Sequence, residues 1–113
     1  MKIVGTLEVR LYRTESGLVP FRQWIESISD VKTRNVVNAR IVRLESGNLG
    51  TYRDLKQGLF ELKIDYGPGM RVYFMRDGNA LVILLSGGDK SSQFRDIAKA
   101  RRYLYDYKKR QTK

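Results

Sequence analysis

The chain between Leu59 and Ser86 carries the feature that most limits the folds it can adopt. Three runs that alternate apolar with polar residues, or are apolar throughout, are separated by turns at "GPG" and "DGN". A period of two with such turns is typical of consecutive antiparallel strands. The stretch "LFELKIDYGPGMRVYFMRDGNALVILLS" therefore predicts three strands joined by two hairpins.

The turn residues predict which side chains share a face. A first turn of Gly67, Pro68 and Gly69 would pair Ile64 with Val72, Leu62 with Phe74, Lys63 with Tyr73, and Asp65 with Arg71. A two-residue turn within "DGN" would place Leu81, Ile83 and Leu85 on the same face as Val72 and Phe74. The opposite face of the first hairpin would then carry Glu61, Lys63, Arg71 and Tyr73.

The remaining elements follow from periodicity and end signals. Residues 6–12 alternate between apolar and polar side chains, which predicts a half-buried strand. Pro20 suits the first turn of a helix in "PFRQWIESI". Asp30 suits the N-cap of a second helix, which is expected to end at Gly47. A last helix is predicted from an apolar stripe, and its predicted members are Phe94, Ile97, Ala98, Arg101, Leu104 and Tyr105.

The predicted order is β-α-α-β-β-β-α in a single domain over residues 1–113. This is an α+β fold with a small, mostly antiparallel sheet packed on helices. The first strand is expected beside the third strand of the hairpins. The helices are expected to cover the Val72 and Phe74 face and to leave the face of Lys63, Arg71 and Tyr73 open.

Composition excludes several classes of chemistry. With no cysteine and no histidine, the chain lacks the usual zinc ligands and the usual partners of a serine or cysteine nucleophile. We expect no metal and no cofactor, so any catalysis must use Lys, Arg, Tyr, Asp and Glu. No apolar stretch is long enough to span a membrane, and the start does not resemble a signal peptide, which predicts a cytoplasmic protein.

Positive charge is concentrated near the C-terminus. The net charge of +10 divides into +3 for residues 1–50, 0 for residues 51–89 and +7 for residues 90–113. Such a cluster is typical of nucleic-acid binding, although it would attract an acidic protein equally well.

The polar face of the first hairpin is a candidate phosphodiester site. Glu61, Lys63, Arg71 and Tyr73 would share a patch about 10 Å across by sheet spacings, with Lys90 at its rim. RNA carries its own nucleophile, the 2′-hydroxyl, so cationic side chains that orient it and stabilise negative charge would suffice. Either Lys63 or Glu61 could be the general base. The alternative is an ordinary solvated face of a sheet.

Several quoted segments in their order resemble the RelE/ParE superfamily of toxins from toxin-antitoxin modules. They are "PFRQWIESI", "ARIVRLESGNLG", "LKQGLFELKIDYGPGMRVYFM", "LVILLSGGDKSSQ" and "DIAKARRYLYDY". The likeness is strongest to the phage-Gp49-like, HigB-type branch of addiction module killer proteins. The resemblance implies a RelE-like sheet backed by helices and, for many members, a ribosome-dependent endonuclease that cuts messenger RNA and so inhibits translation.

The resemblance also implies roles for individual residues. Lys63, Arg71 and Lys90 match its basic positions, and Glu61, Tyr73 and Gln93 match more weakly. RNA or ribosome contacts are expected from Arg53, Lys56, Gln93, Arg95, Lys99 and Arg102. Two positions depart from the pattern: Met70 stands where an aromatic residue is common, and Lys63 stands where arginine is frequent.

Two other functions remain open. One is a ParE-like inhibitor that binds DNA gyrase without chemistry of its own, and the other is a non-toxic nucleic-acid-binding module. In either toxin reading the expected partner is a cognate antitoxin, a small helix-turn-helix protein encoded next to the toxin. The nuclease reading adds the ribosome and messenger RNA as partners.

Overall fold

The computed structural model describes residues 5–111, which form an α+β fold with five strands and three helices. The strands are β1 (Glu8–Leu11), β2 (Tyr52–Asp54), β3 (Leu59–Ile64), β4 (Met70–Asp77) and β5 (Leu81–Asp89), in the sheet order β1-β5-β4-β3-β2. β1 runs parallel to β5, and every other pair is antiparallel. The predicted position of the first strand beside β5 is confirmed, whereas β2 is an additional edge strand.

The helices are α1 (Pro20–Ser27), α2 (Val31–Glu45) and α3 (Gln93–Gln111), with a short 3-10 turn, Lys90–Ser92, before α3. Pro20 is the first residue of α1, as predicted. Asp30 caps α2, because its carboxylate accepts hydrogen bonds from the backbone nitrogen of Thr33 at 3.3 Å and from its hydroxyl at 2.6 Å. Gly47 follows the end of α2 with a φ of 91°, the left-handed conformation that favours glycine.

The predicted register of the first hairpin is wrong by two residues. Lys63 pairs with Arg71, Glu61 with Tyr73, and Ile64 with Met70, so the loop is residues 65–69 and not the three residues of "GPG". A slip of two leaves every side chain on its predicted face, because the side-chain period of a strand is two. The consequence is that Lys63 and Arg71 lie directly opposite each other.

The predicted faces of β5, the second strand of the second hairpin, are wrong. The loop of this hairpin is residues 78–80, so Asp77 pairs with Leu81 and Met75 pairs with Ile83. A loop one residue longer than predicted reverses the faces of the returning strand. Ile83 and Leu85 therefore pack with Tyr73 and Met75, whereas Val82 and Leu84 join the core of Val72 and Phe74.

The face predicted to be open is covered by α3. One core lies between the sheet and the helices α1 and α2, and a second lies between the opposite face and α3. This second core includes Tyr73, Ile83 and Leu85 from the sheet and Ala100 and Leu104 from α3. A sheet that is apolar on both faces needs cover on both faces, which a single layer of helices cannot supply.

The buried stripe of α3 also differs from the predicted one. Phe94 and Tyr105 were expected in the core but are 89% and 69% exposed. Leu104 is buried and Ile97 packs beside it, as predicted, and Ala100 is buried in addition. Arg101 lies at the edge, where its guanidinium donates to the backbone oxygen of Leu55 at 2.6 Å. The shift follows from the position of α3 across Tyr73 and Leu85, which periodicity alone did not show.

A buried tyrosine joins the end of α3 to the segment after β1. The Tyr12 hydroxyl donates to the Asp106 carboxylate at 2.5 Å, and the Arg110 guanidinium lies 2.8 Å from the same carboxylate. Arg110 also stands over the Tyr12 ring, 5.7 Å from its centre. Burial, followed by the hydrogen bond and charge of Asp106, raises the pKa of Tyr12 from its ordinary 10.0 to about 12.

This cluster predicts a loss of stability at alkaline pH. Because the pKa of Tyr12 is higher in the folded chain, its contribution is complete below pH 10 and is lost as the pH rises to about 12. We expect the free energy of unfolding, measured by urea titration across that range, to fall more steeply in the wild type than in Tyr12→Phe. Tyr105→Phe, at an exposed position, is the matched control and should follow the wild type. Parallel curves for the wild type and Tyr12→Phe would contradict this prediction.

Candidate functional site

A groove of about 840 Å³ opens at the end of the sheet where β3 turns into β4. One wall is α2, and the opposite wall is the hairpin from Lys63 to Arg71. Gly50 and Thr51 line one end, and Lys90 lines the groove from the 3-10 turn after β5.

The charge of the groove is strongly positive. Five basic residues line it, and Asp65 is the one acidic residue among its lining. The basic residues are Arg40, Arg43, Lys63, Arg71 and Lys90. A concave surface lined by one sign of charge focuses the electrostatic field and attracts anions. The groove can therefore bind a polyanion such as a phosphodiester chain.

Three basic residues reach the groove from neighbouring segments: Lys63 from β3, Arg71 from β4 and Lys90 from the 3-10 turn after β5. Lys63 and Arg71 are opposite each other on β3 and β4, and the pairing of Met70 with Asp89 brings the start of the 3-10 turn alongside. Lys63 and Lys90 are exposed, whereas Arg71 is 8% exposed. Sequence reasoning had placed these three residues around one site, and the structure places them in one groove.

Arg71 is held from two sides. Its Nη1 donates to the backbone oxygen of Gly69 at 2.9 Å, and its Nε lies 3.8 Å from the Glu61 carboxylate. The Nε is buried and forms no hydrogen bond among the described residues. The guanidinium is therefore fixed by the hairpin turn and by one buried negative charge, and part of it still lines the groove.

Glu61 is a fully buried carboxylate next to Arg71. It accepts hydrogen bonds from the Tyr73 hydroxyl at 3.1 Å and from the Gln93 amide at 2.8 Å. Arg53 lies 3.1 Å from its other oxygen, as an ion pair without hydrogen-bond geometry, and Arg71 completes the set. With these neighbours and no exposure, Glu61 is placed to hold Arg71 and is not placed to touch a substrate.

Tyr73 is equally remote from solvent. Its side chain is fully buried in the core under α3, and burial together with the negative charge of Glu61 raises its pKa above the ordinary value. The expectation that Glu61 and Tyr73 would share an open patch with Lys63 is therefore wrong. The physical reason is that α3 covers their part of the sheet.

The residues predicted to contact RNA outside the centre are dispersed. Arg53 and Gln93 bind Glu61, while Lys56 lies in the loop between β2 and β3. Exposed positions along α3 carry Arg95, Lys99 and Arg102. None of these six residues lines the groove.

Sequence reasoning missed Arg40 and Arg43. They are three residues apart on α2, beside the apolar stripe that includes Val37 and Leu44, and this spacing places them on one side of the helix. It could not show that this side faces the β3–β4 hairpin. The packing of α2 against the sheet makes them part of the groove.

Comparison with known proteins places the chain in a family. No family model matches it. An uncharacterized protein of Haemophilus influenzae is 44% identical over 81 residues, which cover 72% of this chain and 82% of that protein. The chain belongs to the family of this Haemophilus protein. This relationship assigns no activity to the chain.

The residues that line the groove suit cationic chemistry. Across residues 5–111, no group of three or more acidic side chains is arranged to hold a metal ion. No helix in this part of the chain is long and apolar enough to cross a membrane. The groove instead offers ammonium and guanidinium groups, which hold phosphate oxygens and stabilise charge that develops on them.

Proposed function

We propose that this protein is a RelE-like toxin of a type II toxin-antitoxin module, and that it cleaves messenger RNA in the ribosome. The observation that carries the proposal is the groove in which Lys63, Arg71 and Lys90 converge. The α+β element order, with a mixed sheet between helices, supports a RelE-like topology. The cytoplasmic location and the adjacent helix-turn-helix antitoxin belong to the same proposal.

The proposed reaction is attack of an RNA 2′-oxygen on the adjacent phosphorus. The bond from phosphorus to the 5′-oxygen breaks, the 2′-hydroxyl gives its proton to the general base, and the leaving 5′-oxygen takes a proton from solvent, which leaves a 2′,3′-cyclic phosphate. Arg71 is suited to hold two phosphate oxygens, because a guanidinium can form two parallel hydrogen bonds. Lys90 supplies an exposed charge where negative charge develops during the displacement. Of the two candidate bases, the burial of Glu61 favours Lys63.

Primer extension in a translating extract tests this function. We expect the purified wild-type protein to produce new messenger ends within translated regions, and a Lys63→Ala, Arg71→Ala double variant to produce none. Arg22→Gln, which removes the charge of an exposed residue of α1 outside the groove, is the control and should cut normally. Intact messengers with the wild-type protein would contradict the nuclease.

The same variants distinguish a gyrase inhibitor from a nuclease. If the chain acts by binding gyrase, induced cells should remain poisoned by the Lys63→Ala, Arg71→Ala double variant. Cells that express a variant with an exposed change on α3, such as Phe94→Ala, should then grow normally. Harmless expression of the wild type without any antitoxin would favour a non-toxic binding module.

A further inference from the structure

The wall of the groove that faces the hairpin has no part in the proposed cleavage. It consists of α2, which contributes Arg40 and Arg43 to the groove. Arg40 is partly buried, and its Nη2 donates to the backbone oxygen of Leu49 at 2.9 Å. Arg43 is exposed. Among the described residues, neither guanidinium forms an ion pair with a carboxylate.

The two guanidiniums repel each other. Burial, followed by the positive charge of Arg43, lowers the pKa of Arg40. Two like charges close together on one helix destabilise the fold slightly when no acidic side chain lies between them. A bound anion would remove this repulsion. The arrangement is therefore better suited to a liganded groove than to an empty one.

Tyr66 gives the groove an aromatic surface. The residue lies in the loop between β3 and β4, where it is half-buried and packs against the core while also lining the groove. Its backbone is held by hydrogen bonds from its nitrogen to Ile64 and from Gly69 to its oxygen, each 3.0 Å long. A fixed and partly exposed ring beside cations is the arrangement on which unpaired bases stack.

We propose that Arg40, Arg43 and Tyr66 form a subsite for unpaired RNA beside the cleavage centre. Arg40 and Arg43 hold a phosphate next to the one bound by Arg71, and the ring of Tyr66 stacks on a neighbouring base. The substrate is therefore single-stranded, because a base within a duplex is already stacked on its neighbours and cannot lie against a ring inside the groove. This inference extends the proposed function and rests on it for the identity of the substrate.

Binding can be measured without cleavage. The probe is a short, fluorescently labelled 2′-O-methyl RNA, which lacks the 2′-hydroxyl nucleophile, and affinity is followed by anisotropy over a range of salt concentrations. We expect Arg43→Gln to weaken binding about tenfold and to reduce the slope of log affinity against log salt by about 0.7, the value for one lost single-strand phosphate contact. Arg22→Gln, with the same loss of charge outside the groove, should change neither quantity by a comparable amount.

Two variants of Tyr66 test the stacking contact separately. We expect Tyr66→Ala to weaken binding about tenfold, as for the loss of one stacked base, with the salt slope unchanged. Tyr66→Phe should bind as the wild type does, because the ring alone is needed. Thermal unfolding of each variant verifies that the fold is retained before affinities are compared.

The outcomes separate this inference from the proposed function. If Arg43→Gln and Tyr66→Ala bind as tightly as the wild type, the subsite is wrong, whether or not the protein cuts messengers. If both lose affinity but the wild type cuts no messenger, the subsite stands and the nuclease fails. Equal affinity for the same probe in a duplex would overturn the single-strand assignment. Equally effective displacement by polyglutamate would overturn RNA as the ligand in favour of an acidic protein.

Discussion

Replacing Glu61 with alanine should lower the free energy of unfolding by about 3–5 kcal/mol, the usual loss when one partner of a buried ion pair is removed. Arg71 would keep its charge in a site that is 8% exposed, without the carboxylate 3.8 Å away. The buried Tyr73 hydroxyl would lose its acceptor as well. Urea denaturation of the wild type and Glu61→Ala measures the difference.

Two further variants show which property of Glu61 matters. Glu61→Gln keeps the size of the side chain and one oxygen acceptor but removes the charge, so we expect a smaller loss of stability than for alanine. Glu26→Ala, at an exposed position of α1, is the matched control and should lie within about 0.5 kcal/mol of the wild type. A Glu61→Ala protein as stable as the wild type would contradict the structural role of this carboxylate.

Glu61→Gln also tests how this buried group acts in cleavage. If Glu61 positions Arg71, cleavage by Glu61→Gln should fall but keep the pH dependence of the wild type. If Glu61 were instead the general base, the limb of the pH–rate profile that reports its ionisation would disappear. Its full burial and its four polar neighbours lead us to expect the first result.

If the protein cleaves messenger RNA as proposed, replacing Arg71 with glutamine should reduce the rate of cleavage about 10²–10³-fold, the loss typical of removing one preorganised donor to a developing negative charge. Its guanidinium is held by Gly69 on one side and by Glu61 on the other, so little reorganisation is needed when a phosphate binds. Single-turnover cleavage in ribosome complexes, followed by primer extension, measures the rate.

The controls for Arg71 separate charge, shape and folding. Arg71→Lys keeps the charge but loses the planar fork, so we expect a rate between those of the wild type and Arg71→Gln. Arg76→Gln changes an arginine on the same strand that does not line the groove, and it should cut at the rate of the wild type. Cleavage by Arg71→Gln as fast as the wild type would remove Arg71 from the proposed mechanism.

Local patterns were sufficient for most of the secondary structure. Pro20 begins α1 and Asp30 caps α2, as predicted. The period of two predicted β3 and β4, and an apolar run after a turn predicted β5, because these signals act within a few residues of the chain. The strand β2 was missed, because an edge strand of three residues is too short for alternation to be visible. Loop lengths were harder to predict, since a glycine-rich turn permits several conformations.

Part of the candidate site could likewise be predicted from local sequence, and part could not. Lys63, Arg71 and Lys90 could be grouped from sequence, because neighbouring strands of hairpins bring such residues together whatever the remainder of the chain does. In the first hairpin the predicted register was wrong by an even number of residues, so the side chains of β3 and β4 still lie on their predicted faces. In the second hairpin the predicted register was wrong by an odd number of residues, so Ile83 and Leu85 lie on the face opposite to the predicted one.

The sequence by itself determined every element but β2, the positive charge and the group of cations at the first hairpin, since all of these depend on local spacing and composition. Only the tertiary structure decided that α3 buries Glu61 and Tyr73 and that α2 brings Arg40 and Arg43 to face the hairpin. The physical reason is that helix docking depends on how the apolar surfaces of distant segments fit together. The sheet face that was predicted to be open is therefore covered by α3, and the basic groove lies instead between α2 and the turn of the first hairpin.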